Sequence, residues 1–253
     1  MDRFQVHAPT QVIFGKDTES QAGRWCKYYG AHKVLVHFGG QSAKKSGLLD
    51  RVCASLEEAG LEYVLLGGVV PNPELGLIHE GIRLCREQNV DFILAVGGGS
   101  VIDSAKGIGY GLANAGEVWD FYARKRDVAA CAPLGAVLTI AAAGSEMSNC
   151  SVVTNEDGWL KRGLSTDYGY CKFAIMNPEP VRGAVRTERG GADLYAACLP
   201  DGERLHGYHG AYAGALFYRT FDAAAGAYRR YRRNAAAQRY AQCKNRAQGA
   251  GEL

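Results

Sequence analysis

The sequence predicts an α/β protein built on a parallel sheet covered by helices on both faces. Three observations carry this: short apolar runs without polar alternation, helical patterns between them, and glycines where a strand hands over to the next helix. The pattern fills residues 1–180 and then stops, which predicts two regions, 1–180 and 181–253. The second is rich in Ala, Arg and Gly and has no well-marked apolar stripe, so no fold is assigned to it and poor order is expected.

The elements follow in order along the chain. "FQVHAPTQVIFGKD" has β-rich runs on both sides of Pro9 and reads as a hairpin or edge strands. "KVLVHF" (33–38) is an apolar strand ending at Gly39 and Gly40, and "SGLLDRVCASLEEAG" (46–60) has helical spacing and stops at glycine. "EYVLLGG" is the next strand, and "PELGLIHEGIRLCREQ" a helix with Pro73 near its first turn. "DFILAVGGGS" gives a third buried strand and "SVIDSAKGIGYGLAN" its helix. "GAVLTIAAAG" (135–144) reads as a further strand, and "SVVTNEDGWLKRGLS" as a hairpin turning at "EDG".

With 253 residues, 47% of them hydrophobic, the chain has enough apolar side chains for a substantial core. The net charge of +3 conceals a split, since residues 181–253 hold 12 Lys and Arg against 6 Asp and Glu. No apolar run reaches the length that spans a bilayer, and "MDRFQVHAPT" lacks the features of a secretory leader, so a cytoplasmic protein is expected. The eight cysteines show neither C-x-x-C pairs nor disulfide-scaffold spacing and are read as reduced.

The sharpest local signal is "VGGGSVIDSAKG" (96–107). Gly97, Gly98 and Gly99 would let backbone amides approach a pyrophosphate, and the helix that follows offers unpaired N–H groups and the positive end of its dipole. The plainer reading is a tight strand-to-helix turn in which Ser100 and Asp103 form a capping box. Lys106, one turn on, either reaches a phosphate or is a solvated helix lysine. The usual G-x-G-x-x-G fingerprint after the first strand is absent, because that position reads "FGGQSAKKSG".

Together with "PTQVIFGK", "LGGVVPNPELGLIHEGIRLCRE", "AAAGSEMSNCSVVTNE" and "KFAIMNPE", these stretches make residues 4–179 resemble the iron-containing (group III) alcohol dehydrogenases, in particular the NADPH-dependent butanol dehydrogenase branch. The resemblance implies a Rossmann-like, dehydroquinate synthase-like dinucleotide-binding domain followed by a helical domain, with the cofactor in the cleft. It also implies an alcohol or aldehyde substrate, hydride transfer to or from NAD(P), a divalent iron or zinc, and a homo-oligomer for the full-length family member. Gly97, Gly98, Gly99 and Ser100 would hold the pyrophosphate with Asp103 nearby. Asn72 would sit by the adenosine, Thr139 along the cofactor, and Lys161 would join the cofactor site. At the first-strand loop, Gly39, Gly40 and Ser42, with Lys44 close by, leave room for a 2′-phosphate, which favours NADP over NAD; Lys44 and Lys45 also read as an ordinary charged pair. Family members usually carry Pro where Ala141 stands, often Thr where Ala143 stands, and a basic residue and Pro near Tyr170 and Cys171. Glycerol dehydrogenase and dehydroquinate synthase share the fold, but the run from "GGVVPNPE" to "GGGSVIDSAK" favours the butanol type.

In the family, an Asp-x-x-x-His helix later in the chain supplies metal ligands. It is not found here, so neither a metal ligand set nor a catalytic residue is assigned. His206 and His209 in "LHGYHGAY" have no carboxylate at the right spacing. Reread one base later with suitable wobble bases, residues 193–218 spell "TYTLPAYQTASGCTDIMVHTLERYF", which resembles the family segment with Asp-x-x-x-His included. The expectation is therefore an out-of-frame tail, with the helical domain missing or garbled and this chain limited to cofactor binding. A second reading takes "YRRYRRNAAAQRYAQCKNR" as a nucleic-acid or acidic-surface binder, although out-of-frame GC-rich DNA produces the same Arg and Ala runs.

Overall fold

The computed structural model describes residues 8–140 and 142–177. The expectations placed on residues 1–7, Ala141 and 178–253 lie outside the described residues. These include His206, His209, the Arg/Tyr segment and the out-of-frame tail.

Six strands form one parallel sheet: β1 (Gln11–Phe14), β2 (Lys33–Phe38), β3 (Glu62–Leu66), β4 (Phe92–Gly97), β5 (Leu134–Leu138) and β8 (Phe173–Met176). Across the sheet they run β1-β8-β5-β4-β2-β3. Three of the inner strands, β4, β5 and β8, are apolar throughout because both faces are covered, and every one of their residues is buried. At the edges, β1 and β3 expose several residues.

Alternation along β2 divides the core. Val34, Val36 and Phe38 join a cluster with Leu48, Leu49, Val52 and Leu56 of α3 (Leu48–Glu58) and with Ala22 and Cys26 of α1 (Ala22–Tyr28). His37 points to the other face, where α4 (Leu75–Gln88) packs on α5 (Gly99–Ala113). The two helices approach closely because isoleucines of one fill the space that glycines of the other leave empty. Ile78 lies 2.8 Å from where a Cβ on Gly107 would stand, and the pairs Ile82–Gly111 and Ile108–Gly81 are tighter still. The short helices α2 (Gln41–Lys45) and α6 (Trp119–Tyr122) complete the layers.

The strands β6 (Cys150–Asn155) and β7 (Leu160–Ser165) form the predicted antiparallel hairpin, with Asn155 opposite Leu160 across the turn. The segment after Pro9 is an edge strand, one of the two forms expected for it, and pairs in parallel with β8. One expectation needs correction. The strand foreseen over 135–144 ends at Leu138, because beyond Thr139 the chain leaves the sheet to wrap over the tips of its neighbours.

Candidate dinucleotide site

The sheet order contains a reversal: β3 lies on one side of β2, whereas β4 and then β5 lie on the other. The loops leaving β2 and β4 therefore part in opposite directions, and a crevice opens between them at the carboxyl ends. Phe38 is in register with Val96, so Gly39 and Gly97 emerge side by side. Both glycine groups singled out in the sequence thus meet at the switch point.

The turn after β4 is shaped by close packing. A Cβ on Gly97 would collide with the Val101 side chain, and one on Gly99 would stand 3.1 Å from Ser145 Oγ. Gly98 caps α5 without any side-chain hydrogen bond; its carbonyl accepts from the Val101 and Ile102 amides, and among the described residues no side chain caps the Gly99 and Ser100 amides. The described atoms nearest to where a Cβ on Gly98 would stand are those of Ile140, from 3.6 Å. Across the crevice, among the described residues, nothing lies within 4 Å of a Cβ on Gly40. Lys44 sets its ammonium over the Phe38 ring, 5.2 Å from the centroid, at the end of β2. Ser42 lies in α2 of the same loop. Thr139 donates its backbone N–H to the Gly97 carbonyl at 3.1 Å, which ties the end of β5 to the glycine turn.

Asn72 has a left-handed backbone, φ 61°, and its Oδ1 accepts a 2.7 Å hydrogen bond from Lys161 Nζ on β7. The hairpin is also fixed to this loop by the Thr154 N–H, which donates to the Pro73 carbonyl at 2.9 Å. The Glu156 carboxylate accepts from the Leu75 and Gly76 amides, each at 3.1 Å, and so caps α4.

The capping box is not formed. Asp103 Oδ2 accepts from the Val152 N–H at 3.1 Å, carrying its carboxylate to the hairpin instead of the helix start. Burial raises the Asp103 pKa, partly offset by the charge of Lys106 and by hydrogen bonding to its carboxylate from the Val152 amide and the Ser145 side chain. Both readings of Lys106 also fail. The side chain is completely buried, and Nζ donates to the carbonyls of Ser145, Ser148 and Cys150 at 2.8, 2.7 and 2.9 Å. Beneath the site His37 Nδ1 lies 2.9 Å from the Leu66 carbonyl and Nε2 2.9 Å from Ser104 Oγ; burial pushes its pKa down to about 4. Glu146 is buried, which raises its pKa. Sequence reasoning passed over His37, Glu146 and Glu156, although a histidine inside the apolar run "KVLVHF" is a signal that a buried partner awaits it. A separate pocket of about 290 Å³, where His79 Nε2 lies 2.6 Å from Glu117 Oε1, shares no residue with the crevice.

A switch-point crevice with a glycine turn before an uncapped helix defines a dinucleotide-binding α/β domain. Residues 9–178 match the family model for iron-containing alcohol dehydrogenase, and the chain belongs to that family. It is 43% identical over 179 residues to "Probable NADH-dependent butanol dehydrogenase 2" of Bacillus subtilis, covering 71% of this chain and 46% of that one. The NADPH-dependent aldehyde reductase YqhD of Escherichia coli is 35% identical over 182 residues, covering 70% and 46%. The crystal structure of NADH-dependent butanol dehydrogenase A from Thermotoga maritima superposes with a TM-score of 0.70 at 37% identity, over 78% of this chain and 48% of that one. The chain thus spans about half the length of the relatives it matches.

The chemistry the described residues can supply is the binding and orientation of a nicotinamide dinucleotide. Among them no group of three His, Cys, Asp or Glu side chains could hold a metal ion. Nor is any described helix long and apolar enough to cross a membrane.

Proposed function

We propose that residues 8–177 hold NADP in the crevice between β2 and β4, and that the whole protein interconverts a primary alcohol and its aldehyde. The observation that carries the reading is the meeting of Gly39–Gly40 with Gly97–Ser100 at the strand-order reversal, above a helix whose first amides no side chain caps. Gly97 to Ser100 would take the diphosphate, Asn72 with Lys161 the adenosine side, and Thr139 the length of the cofactor. Asp103 would serve from behind by anchoring the hairpin. The bound nicotinamide would supply hydride chemistry. NADP is favoured because the β2 loop places Gly39, Gly40 and Lys44 where an acidic residue would otherwise repel a 2′-phosphate. A cytoplasmic setting is supported by the free thiols, of which Cys85 and Cys131 are pushed up to about 12 and Cys171 to about 11 by burial.

The test is titration of the 253-residue chain with NADPH and NADH, followed by fluorescence of the reduced nicotinamide. Saturable binding with NADPH the tighter is expected; binding of neither sinks the reading. For residues 181–253 we keep the out-of-frame origin, supported by the Asp-x-x-x-His peptide recovered one base later. Cofactor binding without turnover follows for this chain. Sequencing the DNA across codons 180–193 tests the origin, and an open frame that spells no such peptide removes it.

A further inference from the structure

We infer that Lys106 is a positioning residue whose buried ammonium clamps the chain from Ser145 to Cys150 onto α5 and so fixes the wall of the crevice against the glycine turn. The inference rests on the cofactor reading above. An ammonium has three protons, and all three are used here, on three carbonyls of one short strip. The strip before β6 is turn rather than ladder, with the Met147 N–H donating to the Gly144 carbonyl at 3.1 Å. Lys106 therefore supplies the ordering that a sheet would otherwise provide. A lysine on an outer helix face could keep its charge in water, so complete burial is sustained only by well-aligned acceptors. Two carboxylates lie close enough to feel its charge, Asp103 one turn earlier on α5 and Glu146 within the strip itself. The consequence reaches the site at Ser145, whose hydroxyl stands 3.1 Å from where a Cβ on Gly99 would be. Holding the Ser145 carbonyl thus holds the residue that borders the diphosphate turn.

Hydrogen exchange on the full 253-residue chain tests the clamp directly. The Met147 amide, bonded to the Gly144 carbonyl within the clamped strip, should be protected well above the exposed Asp157–Gly158 turn, and exchange as fast as that turn overturns the inference. In Lys106→Met, exchange should rise over 143–152 while β4 stays protected, and the Kd for NADPH should rise about tenfold. Lys106→Gln, which keeps donors for two carbonyls, should fall between. Uniform loosening of all strands, or local loosening with unchanged NADPH affinity, rejects the positioning role. Wild-type protein that binds no NADPH defeats the functional reading, whereas the exchange pattern still decides the clamp.

Discussion

Lys161 Nζ donates to Asn72 Oδ1 across 2.7 Å, joining two residues 89 positions apart that were each assigned to the cofactor site. The bond is exposed and adds little to the fold, since such surface contacts contribute about 0–1 kcal/mol. Its effect should lie in binding. Lys161→Met is expected to raise the NADPH Kd about tenfold, as for a lost charged hydrogen bond, with the melting temperature almost unmoved. Titration beside a thermal melt checks this, and an unchanged Kd removes Lys161 from the site.

Glu156 caps a helix from 80 residues away, and its loss should be felt in stability. Glu156→Ala strands the Leu75 and Gly76 amides and is expected to cost about 1 kcal/mol. Gly76→Ala should cost a similar amount by another route, because its Cβ would come 2.8 Å from Glu156 Oε1 and displace the carboxylate. Urea midpoints measure both. If the double variant loses the sum of the two, the shared cap is wrong.

The fold was largely legible because local signals agreed: the strands at 33–38 and 92–97 and the "EDG" hairpin lie where the patterns put them. What the patterns could not see was distance. The capping motif Ser100–Asp103 lost to a remote acceptor role for Asp103 on Val152, and Lys106 lost both proposed environments to a strip of chain some forty residues on. Strand length over 135–144 was overread because the apolar run "LTIAAAG" serves first the sheet and then the crevice rim. The glycine turns were read correctly in place, but only the strand order shows that Gly39 and Gly97 lie side by side.

His37 makes the fold sensitive to acid. Its pKa falls from 6.5 to about 4 because burial disfavours the charged ring, and its neighbours, the Leu66 carbonyl and Ser104 hydroxyl, bring no negative charge. The unfolded chain therefore binds a proton below pH 6.5 that the folded chain refuses until about 4, and stability drains as pH drops through that window. The loss should reach about 2 kcal/mol by pH 5. Buried Asp103 and Glu146 act oppositely, since raised carboxyl pKa values lower stability as pH rises past the unfolded values. Comparing urea unfolding of the wild type and His37→Asn at pH 7 and pH 5 isolates the histidine. Equal slopes in both proteins would refute it.

The glycine turn separates packing from binding. Gly97→Ala drives a methyl into Val101 and should cost about 1–3 kcal/mol of stability. Gly40→Ala places its new methyl in space open among the described residues and should leave the urea midpoint within about 0.5 kcal/mol of the parent. A drop in NADPH affinity for Gly40→Ala at unchanged stability would show that this open space belongs to the ligand. Unchanged affinity would place the cofactor elsewhere.

On the proposed reading, the choice of NADP over NAD is set at the tip of β2. A Cβ on Gly39 would stand 3.5 Å from the Val69 carbonyl oxygen and 3.6 Å from Val101 Cγ2, ordinary contact distances, so the Cβ of an aspartate is admitted there without a clash. Its carboxylate would accept from a ribose 2′-hydroxyl and repel a 2′-phosphate, while Lys44 remains over Phe38. Gly39→Asp should therefore invert the preference, weakening NADPH binding by about tenfold or more and favouring NADH. Paired titrations of the parent and the variant give the ratio of ratios. A variant that loses both cofactors equally would mean that Gly39 shapes the loop without reading the phosphate, and the assignment of NADP would lose its structural support.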